Sequence, residues 1–424
     1  MRNPIVEAPA SYRIFDFLVV IIMENRDYGD IIGNSAAPFL NKLAGDWAFA
    51  QAYHNVSSRH SLANYLGLTA AYTFDSWSLC NQPPSLCTGW TPVSGPTIVE
   101  RIEQAGLTWK AYMEDMPSNC YSNDSGAYVV RHDPFVYFST VLTNATECDK
   151  VVPSQTEASG LISDLTSTSS ASNFMWLTPN LCDDMHSCST SLGDSYLSRI
   201  VPQILKSEVF QTQRAALFIT WDEGSHPGPI PAIWSGPVVR QNYTSSVWHN
   251  HYSFLKTIEK AWDLSPIGEN DSTASAMTEF FNGPKAGLSY FPLSLQIDQT
   301  STFSGHASGG AWPYRFLWNF GDQSEAEGQV VEHAYDRAGV YLLELTVFDS
   351  FNNTGYSVDN IMIVEQPRPS LLGPLEQTIL IIVGGTGGLV AGLAARLIWR
   401  NRRSTSKEFT DSWGPRGAIP SSTL

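Results

Sequence analysis

The chain has 424 residues, 43% of them hydrophobic, and a formal net charge of −16. This length suggests two or three domains, and the apolar content suffices for a sizeable core. The acidic balance argues against nucleic acid as a partner, because phosphate backbones recruit Lys and Arg.

Residues 1–285 read as alternating strands and helices. Strand-like runs cover 16–23, 47–55, 108–113, 173–178 and 215–221, with helical stretches at Ala37–Ala44, Ile98–Ala105 and Tyr196–Lys206 between them. The alternation predicts an α/β fold with a mainly parallel sheet and helices on both faces. Continuous apolar strands suit burial on both faces, and ligands bind beyond the carboxyl ends of such strands.

Three of these runs stop at acids. The first ends on Glu24-Asn25, where a carboxylate beside a neutral amide oxygen suits a hard cation such as Ca²⁺, Mg²⁺ or Mn²⁺. The bland alternative is that Asn25 caps a helix. The 173–178 run leads to Asp183, Asp184 and His186, and the 215–221 run to Asp222-Glu223. Between the first two lies Ser61 at a predicted helix start, where backbone N–H groups favour a phosphate. A plain N-cap serine is the commoner meaning of such a position. His132 and His251 are isolated histidines, a pattern that is more often structural than catalytic.

Six cysteines fall in the first half, with Cys80 close to Cys87 and Cys182 close to Cys188, which leaves Cys120 with Cys148 by elimination. The C-x-x-C grouping of a zinc site is absent, so disulfides in an oxidising compartment are expected. Asn-x-Ser/Thr triplets at Asn55, Asn123, Asn144, Asn242, Asn270 and Asn352 fit an exterior, glycosylated domain.

The texture changes near residue 286. Trp318-x-Phe320-Gly321-Asp322, His333-x-Tyr335 and Ala338-Gly339-x-Tyr341 with a following alternating strand resemble the PKD domain. That resemblance implies an immunoglobulin-like β-sandwich over 286–366, a spacer or adhesive module without catalysis. Prolines mark 367–376 as a stiff linker. An apolar run over 377–399 has the length of a bilayer core and is followed by the basic segment 400–424. Positive charge stays inside, so the expectation is a single-pass cell-membrane protein with its catalytic domain outside the cytoplasm. No signal peptide opens the chain, from which a truncated or processed start is expected.

Six motifs run in order over about residues 15–265. They are Met23-Glu24-Asn25 with Tyr28, Ser61-Leu62 with Asn64-Tyr65, His132 with Pro134-Phe135, Thr178-Pro179-Asn180 with Asp184 and His186, Trp221-Asp222-Glu223-Gly224, and His251-Tyr252-Ser253. Together they resemble the phosphoesterase family of acid phosphatases and bacterial phospholipases C, within the alkaline phosphatase superfamily. The resemblance implies that Glu24, Asn25, Ser61, Asp222 and Glu223 bind a divalent metal ion (Ca, Mg, Mn or Zn) and that Ser61 is the nucleophile. It implies phosphate binding or proton transfer for His132 and His186, and a second metal or phosphate contact for Asp184 and His251. Relatives carry His-Pro-Ser before the serine motif, whereas this chain has Arg59-His60-Ser61, so His60 receives no role.

The expected activity is hydrolysis of phosphate monoesters through a phosphoserine, in a protein tied to the membrane by its C-terminal helix. A phospholipase C-type attack on lipid headgroups and an adhesion protein with an inactive enzyme domain are the rival readings. The sequence carries no signal for oligomeric state.

Overall fold

The structure is a computed structural model that describes residues 13–58, 60–73, 86, 91–226 and 228–365. The predicted linker, membrane segment and basic tail lie outside these residues, as do Arg59, Cys80 and Cys87. Among the described residues, no helix is long and apolar enough to cross a membrane.

The first part is built on strands β1 (Phe17–Met23), β2 (Ala48–His54), β3 (Trp109–Met113), β4 (Val151–Pro153), β5 (Phe174–Thr178), β6 (Ala215–Trp221), β7 (Ile230–Ser235), β8 (Tyr243–Ser245) and β9 (His249–Asn250). Among the described residues they form one nine-stranded sheet in the order β4-β3-β5-β1-β6-β7-β2-β8, with β9 also on β2. Every residue of β1, β5 and β6 is buried, as their unbroken apolar runs require of strands covered on both faces. Val20 of β1 sits between Trp176 of β5 and Phe218 of β6 in the register.

Pairing is parallel except around β7, which runs antiparallel to both β6 and β2. Two reversals restore direction, so β2 points the same way as β1, β5 and β6. The carboxyl ends of all four strands therefore reach one edge, and the chain leaving β2 toward Ser61 arrives beside the acids. β7 escaped prediction because Pro231 interrupts it. The chain tolerates that proline opposite an irregularity in β2 between Ala50 and Tyr53, where the ladder needs no donor.

Helices α1 (Pro38–Asp46), α2 (Ser61–Ala70), α3 (Ile98–Gln104), α4 (Thr190–Lys206) and α5 (His251–Trp262) accompany the sheet. Asp194 of α4 accepts hydrogen bonds from the Phe39 and Leu40 amides at 3.1 and 2.8 Å, supplying partners for the start of α1. All ten residues of α2 are buried, and α2 packs on α5.

Residues 285–364 form a β-sandwich. A three-stranded sheet of β10 (Lys285–Phe291), β12 (Ser301–Ser308) and β15 (Val330–His333) faces a five-stranded one. The latter holds β11 (Leu295–Gln296), β13 (Arg315–Asn319), β14 (Glu325–Glu327), β16 (Gly339–Phe348) and β17 (Thr354–Val364). Phe303, Trp318, Leu343, Leu345 and Val347 fill the space between them. The sandwich meets the first part through Asn353, which accepts from Arg240 at 3.1 Å and donates to the Thr278 carbonyl at 3.2 Å.

Two local features fix the edge that carries the acids. Gly67 in α2 leaves room for Val56, whose Cγ2 would overlap a Cβ at position 67. Glu114, just past β3, accepts from Tyr196 Oη at 2.8 Å, the Ala158 amide at 2.9 Å and the Asn180 amide at 3.3 Å. Burial outweighs these donors and pushes its carboxyl up to about 7.

Gly67→Ala should therefore destabilise the protein. Better helix propensity is worth about 1 kcal/mol, while overpacking costs about 1–3 kcal/mol. Adding Val56→Ala should recover stability in denaturant titrations, and a stabilised single variant would refute the packing argument. For Glu114, the raised value means that the stability it contributes is complete below its ordinary value of 4.5 and lost as pH rises through about 7. Glu114→Gln should flatten the stability–pH curve over that window by roughly 2–3 kcal/mol relative to wild type. Identical curves would show that the group does not titrate there.

Candidate active site

Glu24 follows β1 and is fully buried. Its Oε2 accepts from Ser61 Oγ and from Asn25 Nδ2, each at 3.3 Å, while Oε1 has no hydrogen-bond partner. Asn25 holds a left-handed backbone, φ +53°, a conformation that Asn tolerates better than most residues. This turn aims the Asn25 amide at Asp222 Oδ1, 3.3 Å away. Asn25 therefore does not cap a helix.

Ser61 is not a plain N-cap either. His60 occupies that position without a side-chain capping bond, and Ser61 is the first residue of α2 with its hydroxyl turned to Glu24. One turn on, Asn64 ties three pieces together. Its Oδ1 accepts from the Val56 and Ser57 amides at 3.1 and 2.8 Å, and its Nδ2 donates to Glu223 Oε2 at 2.9 Å.

Asp222 is buried, and its Oδ2 is unpartnered. His251 lies behind it. Its Nε2 is 2.7 Å from the Asp222 carbonyl and its Nδ1 is 3.1 Å from Tyr53 Oη. Both ring nitrogens are thus engaged within the protein, and burial lowers the imidazole to about 4. This corrects the expectation of a second-metal role for His251: it positions the Asp222 backbone. Asp184 differs. Its Oδ1 accepts from the His186 amide at 2.6 Å, while Oδ2 is unpartnered and 3.4 Å from His132 Nδ1.

The loop bearing Asp184 and His186 is closed by a disulfide between Cys182 and Cys188, and a second disulfide joins Cys120 to Cys148. Arg26 clamps that loop to the strand end, donating to the Cys188 carbonyl and the Asn25 carbonyl, both at 2.8 Å. His132 is buried with Nε2 3.2 Å from Glu24 Oε1, and its ring stacks on Tyr65 at 5.5 Å. Glu24, His132 and His186 can each bring a ligand atom within 4.8 Å of the others. Arg131 Nη2 is 3.5 Å from His186 Nε2.

The electrostatics follow from the burial. Desolvation raises Glu24, Asp184 and Asp222 well above the ordinary carboxylate range, and mutual repulsion adds to each. Glu223 rises to about 7, opposed by the Asn64 amide. Burial, then Arg131, lowers both His132 and His186. The permanent cation here is thus Arg131 rather than an imidazolium. Buried acids with unpartnered oxygens on Glu24, Asp184 and Asp222, flanked by an amide, a hydroxyl and two imidazoles, fit a divalent cation.

The structure thus brings together Glu24, Asn25, Ser61, Asp222 and Glu223 on one side, and His132, Asp184 and His186 on the other, with Glu24 shared. Sequence reasoning missed Asn64, Arg26, Arg131 and Glu114. Three of these lie inside or beside motifs already singled out, and Glu114 repeats the signal of a strand run ending in an acid.

Residues 34–265 match the phosphoesterase family, and residues 284–363 match the PKD domain. A phosphatidylinositol-3-phosphatase of Mycobacterium tuberculosis is 30% identical over 269 residues, covering 62% of this chain and 81% of that protein. A phosphate-repressible acid phosphatase of Penicillium chrysogenum is 25% identical over 277 residues, covering 62% of this chain and 63% of that protein. Among solved structures, an alkaline phosphatase superfamily protein from Vibrio parahaemolyticus aligns at 10% identity with a TM-score of 0.40, covering 81% of this chain and 83% of that one. Carrying a phosphate-ester hydrolase region followed by a PKD domain, the chain belongs to the phosphoesterase family.

Proposed function

We propose that the chain is a metal-dependent phosphatase that hydrolyses phosphate monoesters through a phosphoserine at Ser61. The observation that carries this reading is the Ser61 hydroxyl, which donates to Glu24 at the start of a buried helix amid acids that lack partners. Asn25, Asp222 and Glu223, with Glu24 and Ser61, would hold the cation. His132, Asp184 and His186 are the ligands on offer at the opposite side of Glu24. Such an ion supplies charge neutralisation and activates the serine hydroxyl when bound.

Ser61 Oγ attacks phosphorus in line and its proton passes to Glu24 Oε2, the acceptor 3.3 Å away. The ester P–O bond breaks, and the leaving oxygen takes up a proton to depart as an alcohol. Water then attacks the phosphoserine, the Ser–O–P bond breaks, inorganic phosphate leaves and Ser61 regains its proton. Arg131 is placed to neutralise phosphoryl oxygens. The N–H of a neutral His132 or His186 can hold them without competing positive charge.

The names of the relatives support a monoester, including one borne on a lipid headgroup. The two disulfides support an oxidising compartment. The apolar run over 377–399 and the basic residues after it support a single membrane anchor with the enzyme outside.

Ser61→Ala should lower kcat by at least about 10³-fold with the fold retained. Acid quenching of wild type with labelled phosphomonoester should leave label on the peptide containing Ser61. Full activity of the variant, or label on another residue, would overturn the assignment.

A further inference from the structure

A groove of about 680 Å³ adjoins the carboxylate cradle. One wall is formed by residues 54–58, the segment that leads from β2 toward Ser61. The other is formed by Gly224, Ser225, His226 and Gly228, and Asn25 and Glu223 join the two. Its size lies in the range of small-molecule sites.

The lining is chemically one-sided. It offers amide, hydroxyl and imidazole groups, a single aliphatic side chain in Val56, and no lysine or arginine. His226 is already paired with Asp27 at 2.6 Å. His54 stacks on Trp248 with ring centroids 5.7 Å apart and planes 21° from parallel, and Trp248 is 58% exposed. A lone exposed tryptophan needs no explanation. This one is held flat against a ring that lines the groove. An acyl chain or an unfunctionalised aryl group would leave the polar wall unpaired. A second phosphate would find no cation and would face Glu223.

We propose that this groove receives the leaving alcohol of the substrate, that the alcohol is a neutral, hydroxyl-rich ring of the sugar or cyclitol class, and that Trp248 and His54 set this specificity. The ring's hydroxyls pair with the serine and asparagine side chains, and its C–H face lies along the aromatic pair. This rests on the phosphate-ester reading of the neighbouring cradle.

The test compares glucose 6-phosphate with n-propyl phosphate on the full chain and on Trp248→Ala and His54→Ala. Saturation-transfer NMR with free glucose provides a readout independent of turnover. The wild type should favour the sugar ester, and each variant should lower the ratio of the two kcat/KM values by about tenfold, mainly through KM. NMR signals from glucose should weaken in parallel. Turnover with no preference in wild type, or ratios within about twofold of wild type in both variants, would overturn the groove assignment while leaving the hydrolytic reading intact. If neither ester is hydrolysed yet glucose signals depend on Trp248, the groove stands and the hydrolytic reading fails. Absence of both turnover and glucose signals would overturn both.

Discussion

Everything at the working edge of this protein answers to one electrostatic constraint: Glu24, Asp184, Asp222 and Glu223 converge where little water reaches them. Three of the four have no exposed surface. Removing a carboxylate from water costs several kcal/mol unless hydrogen bonds or a countercharge offset it. The protein supplies only part of that compensation. The Asn25 amide, the Asn64 side chain and the His186 amide each satisfy one oxygen, and others are left without donors. Such a cluster must either take up protons or hold a cation, and the second option is the one that chemistry can use.

The scaffold serves this convergence. Parallel β5, β1 and β6 deliver acids to a common edge, and the double reversal through β7 brings β2 and the serine helix to the same place. Around them sits a layer that positions rather than reacts. His251 uses both nitrogens to fix the end of β6, Arg26 and the Cys182–Cys188 bridge fix the loop of Asp184 and His186, and Glu114 fixes Asn180. Arg131 brings positive charge to the side where both imidazoles are held toward neutrality.

The central strands were legible because burial on both faces writes an unbroken apolar run. Those predicted at 16–23, 173–178 and 215–221 match β1, β5 and β6 to within a residue or so. β7 was hidden by Pro231, and the short β4, β8 and β9 are too brief to show a period. The helix ending at Lys206 was placed correctly at its end but begins at Thr190, since its first turns are rich in small polar residues. Acids at strand ends and a serine at a helix start were readable as types in positions. Their roles were less so. Nothing in the residues around His251 shows that both its nitrogens are spoken for, because Tyr53 is 198 positions away. Arg131 beside His186 and Asn64 beside Glu223 are likewise long-range pairings that a linear pattern does not encode.

The most direct test of the account is whether the buried acids hold a cation that stabilises the fold. Thermal unfolding of the full chain would be followed before and after removal of divalent ions by a chelator, together with elemental analysis of the purified protein. The account predicts bound metal in wild type, a lower melting temperature after chelation that returns when the ion is restored, and little response in a Glu24→Gln, Asp222→Asn double variant. A wild-type protein free of metal, with a melting temperature indifferent to added divalent ions, would contradict it.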